Sequence, residues 1–188
     1  MLLICFGTRP EWIKLKPLLR ILDKDKFKLL FTGQHRDLLD KISYEVLEVK
    51  IEDGENRLDS IICSLLNNDS LFKNTSHVMV VGDTTSVLAV SIAAYHRRIP
   101  VVHLEAGLRT FDKNNPYPEE FNRRSTSFIS DIHLCPTEES KVNLLNEKIE
   151  GRIEVVGNTV LDNLVDVEAY YEDRVLITLH RRENHSIM

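Results

Sequence analysis

Apolar residues fall along this chain in short unbroken runs, each closed by a glycine or a polar turn and followed by a stretch of helical periodicity. The runs at 2–6, 27–32, 77–81, 100–104, 132–135, 153–156 and 174–179 predict buried strands. They are short and apolar without clean alternation, as expected for strands covered on both faces. Between them, helices are predicted from Thr8 to about residue 22 and over 36–49, 58–66, 71–73, 84–97, 119–130, 138–147 and 158–171. Residues 51–57 and 106–118 read as polar loops. The first helix carries its own start signal. Thr8 with Glu11 three residues later has the form of a capping box, and Pro10 suits a first turn, where its missing N–H is not needed.

Strands alternating with helices predict βαβ units, right-handed crossovers and an α/β fold, a Rossmann-like parallel sheet with flanking helices. Composition turns acidic and polar over 162–173. That shift divides the chain into an N-terminal domain, 1–171, and residues 172–188, which read as the opening of a second, truncated βαβ domain. The 188 residues have room for one ample domain, or one domain and a piece of another.

Charge and composition then narrow the classes. At 43% hydrophobic and 28% charged the chain is an ordinary globular sequence, which argues against disorder. A net charge of −5 offers no basic surface to nucleic acid or an anionic membrane, so an anionic ligand needs a local cluster of cations. Cys5, Cys63 and Cys135 are odd in number and fit no metal spacing; two of them lie in apolar runs, and buried reduced thiols are expected. No stretch approaches the roughly 20 apolar residues of a membrane span, and the opening residues are too short for a signal peptide, so a cytoplasmic address follows by default.

In an open parallel sheet, ligands bind beyond the carboxyl ends of the strands, above all where the strand order reverses. After the first run stands Gly7-Thr8-Arg9-Pro10-Glu11, which puts Arg9 at a helix N-terminus suited to an anion, or simply on a capped helix. After the third stands Gly82-Asp83-Thr84-Thr85, where Asp83 is either a reactive carboxylate or an N-cap. After the fourth stands Glu105, with His103 two residues earlier on the same strand face, as a functional or a structural pair. Glu119 and Glu120 lead into Asn122-Arg123-Arg124, and acidic residues suit a first turn for the helix dipole alone. His180-Arg181-Arg182-Glu183 follow the last run. Each bland reading stands singly, but independent caps do not predict carboxylates, a histidine and arginines at the ends of different strands. The pattern points to an enzyme acting on a phosphorylated or nucleotide-linked substrate.

These strings also carry a resemblance. Gly7-Thr8-Arg9-Pro10-Glu11 with Lys14 and Pro17, Thr32-Gly33-Gln34-His35, Gly82-Asp83-Thr84-Thr85 and His103-Leu104-Glu105-Ala106-Gly107-Leu108-Arg109-Thr110 are four of them. Pro118-Glu119-Glu120, Asn122-Arg123, Pro136-Thr137-Glu138, Gly157-Asn158-Thr159 and Thr178-Leu179-His180-Arg181-Arg182-Glu183-Asn184 continue the series. In this order they resemble the N-terminal half of the non-hydrolysing UDP-N-acetylglucosamine 2-epimerases. The resemblance implies half of a GT-B-like architecture, two Rossmann-like domains facing across a cleft. It also implies a homodimer paired through this domain, and interconversion of UDP-GlcNAc and UDP-ManNAc for polysaccharide-type pathways without metal or cofactor. It assigns acid/base and sugar-contacting roles to Asp83, Glu105 and Glu119, and the family's essential histidine to His180. Arg9, Lys14 and Arg123 match cations near the diphosphate or sugar, and His103, Arg109 and Arg181 count with them as substrate-binding. Gln34 and His35 fall where some bacterial members bind a second, activating UDP-GlcNAc. The hydrolysing relatives carry a different glycine-rich string where this chain has 103–107. Two other classes remain: a non-catalytic, dimerising or weakly sugar-nucleotide-binding module, and a related UDP-sugar enzyme such as a retargeted glycosyltransferase. Because the chain ends soon after its last predicted strand, residues 1–188 alone are expected to be inactive.

Overall fold

The computed structural model describes residues 1–33, 42–51, 56–165, 167–168, 170 and 172–175. Seven parallel strands form one sheet in these residues: β1 (Leu2–Phe6), β2 (Phe27–Phe31), β3 (Val46–Glu48), β4 (His77–Val81), β5 (Val101–Leu104), β6 (Ile132–Cys135) and β7 (Arg152–Val155). Their order is β3-β2-β1-β4-β5-β6-β7. The chain winds outward one way from β1 and the other way from β4, so the topological switch lies between these two neighbours, in register Leu2 to His77. Among the described residues five helices connect the strands: α1 (Arg9–Ile21), α2 (Arg57–Leu66), α3 (Thr85–His96), α4 (Glu119–Ile129) and α5 (Glu138–Asn146).

Both faces of the sheet are covered, which is why its strands read as continuous apolar runs. Ile4, Phe6, Leu29, Phe31, Val81 and Leu104 point to one side and pack with Trp12, Leu15 and Leu19 of α1. Leu3, Cys5, Leu30, Val78, Val80 and Val101 point to the other and meet Ile61 and Leu65 of α2 and Val87, Val90 and Ala94 of α3. Helix α3 touches α2, α4 and the sheet, so it is buried nearly all round. Its alanines and serines keep it narrow enough for that place. Cys5 and Cys135 are buried and Cys63 is exposed; all three are free thiols. Among the described residues no helix is long and apolar enough to cross a membrane.

Two predicted elements differ. Of the helix expected over 36–49, residues 36–41 lie outside the described residues, and 46–48 are an edge strand paired with β2 through Leu29, Leu30 and Phe31. The helix expected over 158–171 is instead a single 3-10 turn, Leu161–Asn163, followed by irregular chain in the described residues. Asn158 bonds the amide of Val160 at 3.1 Å and Asn163 bonds the Ile13 carbonyl of α1 at 2.9 Å. Such side-chain bonds to backbone compete with helix formation. Of the strand expected over 174–179, residues 176–179 lie outside the described residues, as do His180, Arg181, Gln34 and His35.

Candidate active site

The carboxyl edge around the switch is built by loops that bond to one another. Thr8 caps α1, and Glu11 completes the capping box. One Glu11 oxygen accepts the amides of Gly7 and Thr8 at 2.5 and 2.9 Å, and the other accepts the Thr84 hydroxyl at 2.5 Å. Glu11, 3% exposed, thereby bolts the loop after β1 to the loop after β4. Burial pushes its carboxyl above the ordinary range, against the four hydrogen bonds that pull it down. The helix N-terminus that sequence offered to an anion already holds this internal carboxylate. Arg9, the first residue of α1, stands exposed beside it.

Asp83 is not the N-cap of α3. Thr84 is, accepting the Val87 amide at 3.4 Å, and Asp83 is left to face α4. Arg123 grips one Asp83 carboxylate oxygen through Nη2 and through Nε at 3.1 Å, while Asn122 donates to the Asp83 carbonyl at 2.9 Å. Glu119 begins the same helix one turn before Asn122 and Arg123, on the face that meets Asp83. One of its buried carboxylate oxygens has no hydrogen-bond partner among the described residues. Glu120, fully buried, anchors the preceding loop by accepting the amides of Thr110 and Phe111 at 3.1 and 3.0 Å, and pairs with Arg123 at 3.3 Å.

Glu105 leaves β5 at φ +65° and pairs with Lys14 of α1. Its Oε2 lies close over Gly82; a Cβ placed there would be 3.3 Å from it. Gly82 donates its amide to Leu104 at 2.9 Å. Glu105 and Gly82 therefore leave adjacent strands at the same level, with Asp83 the next residue. Asp83, Glu105, Lys14, Arg123 and Glu119, from four different elements, converge on one edge. Asp83, Glu105, Lys14 and Arg123 are all partly exposed there.

The other two predicted contacts within the described residues sit behind this edge. Arg109 has a fully buried side chain whose donors reach Glu147 at 3.0 and 2.8 Å, Ser127 at 3.0 Å and the Leu108 carbonyl at 2.8 Å. It clamps the loop 105–110 to α4 and to the end of α5. His103 does not pair with Glu105, because the chain turns at Glu105. Its Nε2 lies 2.7 Å from the Gly82 carbonyl oxygen in a fully buried setting. Burial drives this imidazole down to about 4, helped by the fields of His133, Arg109 and Arg123 and opposed by the Gly82 bond. It is neutral at pH 7, with its proton on Nε2, since a carbonyl only accepts.

This neutrality has a pH signature. An unfolded histidine takes up its proton near pH ~6.5 and the folded one only near 4, so between these values the unfolded state binds more protons. Stability contributed here is full above pH ~6.5 and falls on acidification, by about 2 kcal/mol at pH ~5. Buried His133 adds in the same direction, whereas Glu11, raised by burial, adds stability as pH falls. The expected result is a urea midpoint that drops from pH 7 to 5 more steeply in the wild-type chain than in His103→Gln. Equal slopes would contradict a neutral buried His103.

The deciding comparison is with sequences of known families. The sequence profile of the UDP-N-acetylglucosamine 2-epimerases matches residues 20–187. The chain belongs to the UDP-N-acetylglucosamine 2-epimerase family. A UDP-N-acetylglucosamine 2-epimerase of Neisseria meningitidis is 41% identical over 97% of this chain and 58% of its own length. A Neisseria meningitidis epimerase structure bound to UDP-GlcNAc aligns at TM-score 0.77 and 40% identity, over 87% of this chain and 48% of that one. The Methanocaldococcus jannaschii epimerase in complex with UDP-GlcNAc and UDP aligns at TM-score 0.74 and 37% identity, over 86% and 47%. The chain thus spans about half the length of the relatives it matches. Of the residues singled out in the sequence, the fold brings Asp83 together with Arg123 and Glu105 together with Lys14. The capping box announced Glu11 but not its bond to Thr84, and nothing local announced the loop-anchoring bonds of Glu120 or the Asn122 bond to the Asp83 carbonyl.

Proposed function

We propose that this chain supplies the carboxylate-bearing half of a UDP-GlcNAc 2-epimerase active site. The observation that carries the proposal is the convergence of Asp83, Glu105 and Glu119 at the switch-point edge, with Arg123 on the first and Lys14 on the second. The C2 hydrogen of the sugar is not acidic by itself. As the C1–O bond lengthens, positive character at the anomeric carbon makes C2–H removable, as in glycosidase transition states. A carboxylate takes the C2 proton, the C–H electrons form the C1=C2 double bond, and UDP leaves with the C1–O electrons. Return of UDP to C1 and of a proton to the opposite face of C2 gives UDP-ManNAc. Such a route needs a base and an acid on two faces, and fixed cations for the departing diphosphate. In this reading Arg9, Lys14 and Arg123 supply those cations. His180 and Arg181 join the site in this reading, from residues 172–188 taken as the start of a second domain across the cleft; Gln34 and His35 retain the activating role that the resemblance implies.

The test is a chimera in which residues 1–188 replace the aligned half of the Neisseria meningitidis relative, incubated with UDP-GlcNAc in heavy water. Deuterium at C2 and formation of UDP-ManNAc are expected, whereas residues 1–188 alone give neither. A folded, UDP-binding chimera that leaves C2–H intact overturns the assignment.

A homodimer, service in polysaccharide precursor supply and a cytoplasmic address complete the reading. Phe121 and Phe128 lie seven residues apart on one face of α4, 53% and 69% exposed, and offer an apolar surface for a symmetric contact. Light scattering at micromolar concentration is expected to give two chain masses; one chain mass would remove the dimer from the proposal.

A further inference from the structure

We propose that His103 is a positioning residue for Asp83: its Nε2–H holds the Gly82 carbonyl, and with it the peptide that aims the Asp83 side chain. The inference rests on the reading of Asp83 as a reacting group. It begins with a ladder that runs out. In register, Val80 pairs with His103 and Val81 with Leu104, and the Gly82 amide continues the ladder to the Leu104 carbonyl. The Gly82 carbonyl would next take an amide from β5, but Glu105 has turned away at φ +65° and the Ala106 amide bonds Leu134 of β6 at 3.1 Å. A buried carbonyl without a donor is costly. His103 reaches along the sheet from two residues upstream and supplies the donor at 2.7 Å.

The carbonyl so held belongs to a hinge. Gly82 sits at φ +77°, where a glycine peptide turns most freely, and Asp83 follows it. His103 fixes the peptide before Asp83, Asn122 fixes the carbonyl after it, and Arg123 fixes the carboxylate. Histidine is an expensive choice for this duty. Its Nδ1 is buried with no partner among the described residues, and an aliphatic side chain would pack on the same face without that cost. The donated bond is what an aliphatic residue cannot provide. His103 itself is fully buried.

NMR of the isotope-labelled chain 1–188 tests this without turnover, so the proposal and the epimerase reading fail separately. The His103 ring is expected neutral at pH 7, protonated on Nε2 and bare on Nδ1. The Arg123 Nε–H, which donates to Asp83 at 3.1 Å, is expected to exchange slowly. His103→Leu should speed that exchange about tenfold beyond any change in the core amides of Ile4 and Val80, since local opening is read separately from global unfolding. His103→Gln, whose amide nitrogen occupies the place of Nε2, should restore slow exchange. A ring protonated on Nδ1 or charged overturns the proposal, as does a folded His103→Leu that keeps Arg123 protected. Should the leucine variant not fold, the tautomer and the glutamine variant decide: fast Arg123 exchange in folded His103→Gln with an intact core also overturns it.

Discussion

Amide replacement of Asp83, Glu105 or Glu119 in the chimeric enzyme is expected to lower kcat by at least ~100-fold, the usual scale for groups that move protons in the transition state. The substitutions Asp83→Asn, Glu105→Gln and Glu119→Gln keep shape and hydrogen-bonding size while removing the charge and the ability to take a proton. The site makes the experiment discriminating, because Asp83 and Glu105 also form ion pairs, with Arg123 and Lys14. If the carboxylates serve only those pairs, amides change stability by a modest amount and leave turnover near wild type. Both residues are partly exposed, and ion pairs of that kind contribute little to folding. Glu119 is the sharpest case, since one of its carboxylate oxygens has no partner among the described residues and an amide there breaks no described contact. Near-wild-type kcat in all three variants would remove the catalytic assignment.

Glu147→Ala is expected to cost about 3–5 kcal/mol, the scale for leaving a buried charge without its partner. Arg109 is fully buried in its side chain, and Glu147 receives two of its bonds; Arg124 reaches the other Glu147 oxygen at 3.1 Å. Removing the carboxylate strands a guanidinium that cannot deprotonate. A typical domain is stable by only about 5–15 kcal/mol, so roughly a fifth or more of the total is at stake. The double variant Arg109→Met with Glu147→Leu should recover most of the loss, because apolar residues of similar size often replace a buried pair without penalty. Urea unfolding of the three proteins at pH 7 measures both effects. A loss below about 1 kcal/mol in Glu147→Ala would show that Arg109 is not confined as described.

How far sequence reached depended on how local the cause was. The capping box at Thr8 and Glu11 is fixed within four residues, and it formed as read. The edge strand Val46–Glu48 is three residues long and exists because Leu29–Phe31 lie alongside, a partnership that no local pattern announces. Arg109 and Arg123 look alike in the chain, two arginines in polar surroundings near acidic neighbours. Their fates diverge because Glu147 and Ser127 fold over the first, while the second faces Asp83 at the open edge. His103 was misread for the same reason: its partner, the Gly82 carbonyl, is 21 residues away and is a backbone atom. The motif strings point to one edge of the sheet because they sit at strand ends. They could not say which members face outward.

The seam between β1 and β4 has a consequence for the order in which the molecule assembles. Leu2 pairs with Phe27 on one side and with His77 on the other. Closing the longer loop costs about 1 kcal/mol more in chain entropy than closing the shorter. The β1–β2 pairing, its crossover helix α1 included, can therefore condense while β4 is still unpaired, and during synthesis it is also the first to be available. Glu11 then waits for Thr84, and Lys14 for Glu105, both on the far side of the seam. This edge is in this sense a clasp, closed by a late, long-range event, and substitutions that loosen the seam should appear first as faster unfolding rather than as slower refolding.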